Sequence, residues 1–356
     1  MNRFALALAS ALLFSSPLLA QQPFKLGTFE DAGDTYLGLV LDDTQIVHIS
    51  QANNALPGVK PPIPTNMTDL IVRYEELQPR LYAIAEAAAA GTLDGQSQDV
   101  GDVNIRPPLM PNIIYNAASN YSLHAAEMAR RTAAGRGGST PPVDETPVPD
   151  PIPGIWEREA GDTRQNPYIF LKQASTVIAD GEAIIVPPQR YELDWECELA
   201  AVIGKPASRV SVADAEDYIF GYTLENDVSD RGGRGDGRMG TDWFLQKNHD
   251  TFAPLGPFIV PKEFVADPHD LTQTLTLSGT VMQDSNTGYM THDTFDMLSY
   301  VSHITTMHPG DVFAMGSPSG VGTARETPIY MKHGDTAVCS IDTIGTLTNP
   351  VVDPSM

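Results

Sequence analysis

Glu196 and Glu198 stand at i and i+2 inside residues 193–204, a run that otherwise reads as a buried strand. Side chains on a strand alternate faces, so the two carboxylates share one face while Cys197 takes the other. Two like charges on an apolar strand repel each other and lose hydration, so they call for a strong counter-charge. A divalent cation would supply it. Asp227, just beyond the apolar run at 218–222, offers a third oxygen donor. All-oxygen ligation selects Mg²⁺, Mn²⁺ or Ca²⁺ over zinc. The alternative is an edge strand whose glutamates face water. The apolar stretch 199–203 leaves little polar surface around the pair and favours the metal.

His124 and Glu127 sit at i, i+3, neighbours on a helix, so the carboxylate can orient the imidazole and raise its basicity. That arrangement suits a general base that activates water; the competing reading is a surface pair on an amphipathic helix. Lys172 closes an apolar strand, and Lys247 follows another apolar run. At an acidic site either ammonium can hold a substrate carboxylate or a developing oxyanion, and either can instead be a solvated strand end. Glycines interleave with Arg231, Arg234 and Arg238 between 227 and 241, the composition of an anion-gripping lid. A second Gly-rich turn, 316–322, carries Ser317 and reads either as a series of tight turns or as a carboxylate nest of backbone N–H groups.

The elements that must position these groups are mainly strands. They are expected at 168–171, 183–186, 195–203, 220–225, 256–260, 274–282, 312–315 and 336–341, with helical patterns at 119–131, 212–218 and 294–305. Upstream, 24–50 reads as a β-hairpin unit, 69–90 as an amphipathic helix, and the Pro-rich 106–111 as a linker. The expected organisation is a leader at 1–20, a small N-terminal α/β domain at 21–106 and a catalytic domain at 107–356, with a mobile insertion at 132–153. The fold class is α+β and β-rich, with a mixed β-roll or barrel-like core.

The leader has Arg3 ahead of an apolar stretch and Leu18-Leu19-Ala20 before Gln21, the pattern of a cleaved signal peptide, so an exported, periplasmic or secreted protein is expected. With 356 residues, 42% hydrophobic and 19% charged, the remainder reads as a soluble globular protein. A net charge of -23 argues against nucleic acid as a partner. The two cysteines, Cys197 and Cys339, are expected as buried thiols, one bridge being possible if their strands are neighbours.

Seven motifs in order then carry a family resemblance. Asn-Tyr-x-x-His-x-x-Glu begins at Asn120, Phe-Leu-Lys at Phe170, Glu-x-Glu-Leu-Ala-x-Val-Ile-Gly at Glu196 and Gly-Tyr-Thr-x-x-Asn-Asp at Gly221. Lys-x-x-Asp-x-Phe-x-Pro-x-Gly-Pro begins at Lys247, Gln-Asp-Ser-Asn-Thr at Gln283 and Pro-Gly-Asp-Val at Pro309. Across about residues 108–350 the chain resembles the fumarylacetoacetate hydrolase family. The resemblance implies a homodimer with one Mg²⁺, Mn²⁺ or Ca²⁺ held by Glu196, Glu198 and Asp227, and His124 with Glu127 as the catalytic pair. By the same matching, Lys247, Lys172, Arg231, Arg234 and Ser317 become substrate or oxyanion contacts. Arg234 stands where the hydrolases carry glutamine, and Ser317 replaces a threonine. The expected activity is metal-dependent hydrolysis of a C–C bond in a 2,4-dioxo, acylpyruvate-like acid through a stabilised enolate. The alternative is isomerisation, decarboxylation or dehydration of a 2-oxo acid at the same site.

Overall fold

The even and odd residues of the strand that follows Glu196 pack into two different cores. Cys197, Leu199, Ala201 and Ile203 belong to one hydrophobic cluster, Ala200 and Val202 to the other. A strand covered on both faces reads as a continuous apolar run, and this one does. The computed structural model of the chain describes residues 21–135, 161–233 and 241–356. The leader at 1–20, residues 136–153 of the expected insertion, and Arg234 lie outside the described residues.

The first segment supplies β1 (Lys25–Asp31), β2 (Asp34–Leu41), β3 (Gln45–His48), α1 (Ile49–Ala55), α2 (Met67–Val72) and α3 (Tyr74–Ala89). After β4 (Ser97–Asp99) and β5 (Asn104–Arg106) come β6 (Ile114–Ala117), α4 (Ser122–Gly135) and β7 (Ile169–Lys172). Short β8 (Val177–Ile178), β9 (Ile184–Ile185) and β10 (Leu193–Asp194) lead into β11 (Cys197–Ile203) and β12 (Ile219–Asn226). Then follow β13 (Ser229–Asp230), α5 (Trp243–Lys247), β14 (Ala253–Pro261), β15 (Thr272–Leu277) and β16 (Thr280–Asn286). The chain finishes with α6 (Thr294–Ile304), β17 (Val312–Ala314), β18 (Thr336–Ile341) and β19 (Gly345–Val352).

Among the described residues the principal sheet runs β4-β3-β2-β1-β14-β12-β11-β17-β6-β7, with β5 on β1 and β8 on β14. A second sheet, β16-β15-β18-β19-β9, packs against it, and β10 pairs with β13. The fold is mixed α+β and strand-rich, as expected, but the sheets run as open paths and close into no barrel. The N-terminal strands share the principal sheet through the antiparallel pairing of β1 with β14. Leu70, Leu77, Leu81 and Ile84 of α2 and α3 bury themselves in the cluster beneath that sheet. No helix among the described residues is long and apolar enough to cross a membrane.

Several boundaries differ from expectation. The single strand expected at 274–282 is a hairpin: Ser278 (φ 49°) and Gly279 (φ 83°) turn the chain between β15 and β16. The helix expected at 69–90 is two, broken at Arg73, and Asn66 caps the first by accepting from Asp69 N–H. The segment 212–218 is a 3₁₀ helix, and β19 is an additional strand whose inward face alternates Leu347, Asn349 and Val351. The expectation of two buried thiols is corrected: Cys197 and Cys339 form a disulfide, with Cα atoms 5.5 Å apart. The cause is tertiary. Cys197 points from β11 toward the second sheet, where β18 lies beside β15 with Cys339 opposite Leu275.

Candidate active site

β11 and β12 pair antiparallel, Cys197 opposite Asn226, and the Asp227 N–H donates to the Glu196 carbonyl at 2.8 Å. That register brings Glu196, Glu198 and Asp227 to the end of the sheet, each at most 5% exposed. They line a cavity of about 260 Å³ together with His124, Lys247 and Arg231. α4 closes the cavity from above. Its first turn is held by Asn120, whose side chain donates to the carbonyls of His292 and Met315 and accepts from the His292 N–H. His124 Nδ1 lies 2.8 Å from Glu127 Oε1, and its Nε2 lies 3.5 Å from Glu196 Oε1. The expected helical pair is therefore buried and aimed at the carboxylates.

The cations interlock with these acids. Lys247 Nζ lies 2.5 Å from Glu196 Oε2 and also bonds Asp227 Oδ2. Arg231 reaches Glu196 Oε1 at 3.0 Å and Asp194 Oδ2 at 2.9 Å. Burial pushes Glu196 upward, but Arg231, Lys247 and His124 more than offset it and hold the carboxyl well below the usual range. Glu198 goes the other way: burial, then the charges of Asp227, Glu225 and Glu196, raise it well above that range. Burial likewise raises Glu225 to about 7, against the pull of Lys172. Burial would lower Lys247, yet Asp227 and Glu196 raise it.

Lys172 is not among the residues that line the cavity. Its side chain lies behind Asp227, 2.6 Å from Oδ1, and also bonds the Phe252 carbonyl, outside the cavity lining. It braces an acid of the site. Ser317 lines the cavity, and its Oγ accepts from Gln283 Nε2 at 2.7 Å.

The Gly-rich turn following β17 proves to be a nest for the protein's own carboxylates. Gly316 N–H donates to Glu198, Gly320 N–H to Glu127, and the N–H groups of Gly322 and Thr323 to Asp194. Gly316 and Gly320 have φ of 89° and 105°, and a Cβ on Gly320 would lie 2.2 Å from the Met282 carbonyl oxygen. Asp194 went unread although 194, 196 and 198 share a parity, the signal that would have found it. Arg131 lines the cavity too, seven residues along α4 from His124, a helical spacing that sequence reading had open to it.

The residues fit a hard dication in donor type and charge. Six buried carboxylates (Glu127, Asp194, Glu196, Glu198, Glu225 and Asp227) meet three buried cations (Lys172, Arg231 and Lys247), so acids outnumber cations. Burial first, and then the neighbouring acids, raise Glu198 among them. Among the described residues, however, no three His, Cys, Asp or Glu side chains stand in ligand spacing, and Lys247 bonds both Glu196 and Asp227.

Comparison with known proteins places this geometry in a lineage. A family model described as fumarylacetoacetate hydrolase, C-terminal, matches residues 113–352. The chain is 41% identical over 188 residues to a mitochondrial oxaloacetate tautomerase of Rattus norvegicus, covering 53% of this chain and 59% of that protein. It is 36% identical over 262 residues to Protein Rv2993c of Mycobacterium tuberculosis, covering 73% and 83%. A solved maleylpyruvate hydrolase from Sphingobium sp. SYK-6, in complex with manganese(II) and pyruvate, superposes with TM-score 0.66 at 27% identity, over 92% of this chain and 99% of that one. The match thus spans about three-fifths of the rat relative's length. Relatives of this chain bear the names of hydrolases, isomerases and tautomerases of oxo acids. With its own buried acids set on the strands that the family model covers, the chain belongs to the fumarylacetoacetate hydrolase family.

Proposed function

We propose that the protein is a divalent-metal-dependent hydrolase that cleaves a C–C bond in a 2,4-dioxo acid of the acylpyruvate type. The observation that carries this is the buried His124–Glu127 pair, whose free imidazole nitrogen faces Glu196 above the carboxylate cluster. Glu196, Glu198 and Asp227 would hold Mg²⁺ or Mn²⁺ (or Ca²⁺), as the manganese in the maleylpyruvate hydrolase neighbour supports. When bound, the ion supplies positive charge to the oxo and carboxylate oxygens of the substrate.

The chain's own residues do the rest. His124, oriented by Glu127, takes a proton from water as the oxygen attacks the distal carbonyl. Lys247 and Arg231 stabilise the oxyanion that develops there, a role worth roughly 10²–10³ in rate per donor. Collapse breaks the C–C bond, the electron pair passes into the enolate of pyruvate, and the proton on His124 returns to carbon. The products are a carboxylic acid and pyruvate. Incubation with Mg²⁺ or Mn²⁺ and a panel of acylpyruvates, following loss of enol absorbance and release of pyruvate, tests this; no pyruvate from any of them rejects it.

A second reading, tautomerisation of a 2-oxo acid such as oxaloacetate, is supported by the name of the relative at 41% identity. It uses the same base, with transfer of one proton between carbon and oxygen and no water consumed. Interconversion of the oxaloacetate enol without pyruvate release distinguishes it. We further propose export through the leader and assembly as a homodimer. N-terminal sequencing of the periplasmic form and light scattering check them.

A further inference from the structure

Beside the carboxylate cavity lies a second one of about 510 Å³, and the two share Ala118, Ser119 and Trp243. Their chemistry differs. The first is walled by acids and cations; among the described residues, no Asp, Glu, Lys or Arg lines the second. Its imidazole, His292, is lowered by burial and places Nε2 2.8 Å from the Gln165 carbonyl oxygen. Arg164, which donates to the Thr291 carbonyl, is tied to Asp162 and Asp296 at 2.9 and 2.5 Å.

Three aromatic rings connect the two chambers. Lys247 Nζ lies 4.8 Å from the centre of Phe170. Phe170 and Trp243 have centroids 5.0 Å apart, and Trp243 and Tyr168 5.5 Å. Tyr168 lines only the second chamber and is 56% exposed, a large ring left open on a protein surface beside Pro167 and Met297. The wall the two chambers share is made of two small residues, Ala118 and Ser119, and the ring of Trp243.

We propose that the second cavity receives the acyl substituent of the substrate, and that Trp243 and Tyr168 select an uncharged aromatic group there. The inference rests on the reading of the carboxylate cavity as the seat of the oxo-acid head. A carboxylate tail entering a chamber whose described lining holds no Lys or Arg would give up hydration with no cation to pair it. An aromatic tail meets ring faces and edges and gains beyond simple area burial.

The test is equilibrium binding to the full chain with Mn²⁺, by calorimetry, of acetopyruvate, benzoylpyruvate and an acylpyruvate ending in a carboxylate. Benzoylpyruvate is expected to bind about tenfold more tightly than acetopyruvate. Tyr168→Ala should remove most of that ratio and Tyr168→Phe should keep it. Equal affinities, tighter binding of the dicarboxylate, or a ratio unchanged in Tyr168→Ala overturns the proposal. If acetopyruvate itself fails to bind, the head-group reading falls and takes the inference with it. Preference for benzoylpyruvate without turnover of any compound rejects hydrolysis alone and supports the subsite.

Discussion

The backbone N–H of Gly320 donates to both carboxylate oxygens of Glu127, at 3.2 and 3.1 Å. A turn at the end of one sheet thereby sets the residue that orients the base on α4, 193 positions earlier in the chain. Gly320→Ala should break this link, since φ is 105° and the added Cβ would meet the Met282 carbonyl. The expected cost is about 1–3 kcal/mol of stability and a fall in kcat larger than any rise in KM. Urea unfolding and steady-state kinetics measure the two; a variant with unchanged kcat would show that Glu127 needs no such anchor.

His124→Ala should lower kcat by roughly 10²–10⁴ and leave metal binding in place, because the imidazole is assigned the proton and not the ion. Thermal shift with and without Mn²⁺ separates these roles. The wild type should gain about 2.7 kcal/mol at a hundredfold excess of metal over Kd, and chelation should remove the gain. Glu198→Gln should lose most of it. A metal-induced shift that survives in Glu198→Gln would remove that residue from the ligand set.

The Cys197–Cys339 bridge, between residues 142 positions apart in the chain, joins β11 to the second sheet. Cys339→Ser should cost about 2–5 kcal/mol while leaving the protein folded around its two large clusters. Both sulfurs are in nearly inaccessible residues, so mild reductant should leave the native bridge intact until the chain unfolds. Free thiols counted by a labelling reagent in native protein, before any denaturant, would contradict the pairing.

His292, 3.9 Å from Asp296, offers a pH test outside the Glu196–Glu198–Asp227 cluster. Burial lowers it from the ordinary 6.5, so the folded state takes up its proton later than the unfolded chain does. Its contribution to stability is therefore complete above pH 6.5 and is lost as the pH falls through the depressed folded value. His292→Gln should flatten that decline relative to the wild type. Parallel stability curves for the two proteins between neutral and acid pH would refute the assignment.

Much of the site was legible because strand parity and helix spacing are local rules. Glu196 and Glu198 share a face by the period of two, and His124 meets Glu127 by the period of 3.6. The same rules contain Asp194 and Arg131, which went unread because neither lies in a motif that names a reaction. The strand-end position of Lys172 leaves a substrate contact and a solvated end both open; packing puts its ammonium behind Asp227, bonded to main-chain carbonyls. The turn at 316–322 reads in sequence as tight turns or as a nest, and its N–H groups hold the protein's own Glu198, Glu127 and Asp194.

What the residues determined alone was the chemistry on offer: buried acids at fixed parity, a base with its orienting carboxylate, and apolar runs that had to become strands. What tertiary structure decided was who faces whom. Whether Cys197 meets Cys339, whether Lys247 pairs with Glu196 or faces water, and whether Trp243 lines a second chamber depend on how separate sheets and helices pack. Those contacts join residues far apart in the chain, where no periodicity reaches.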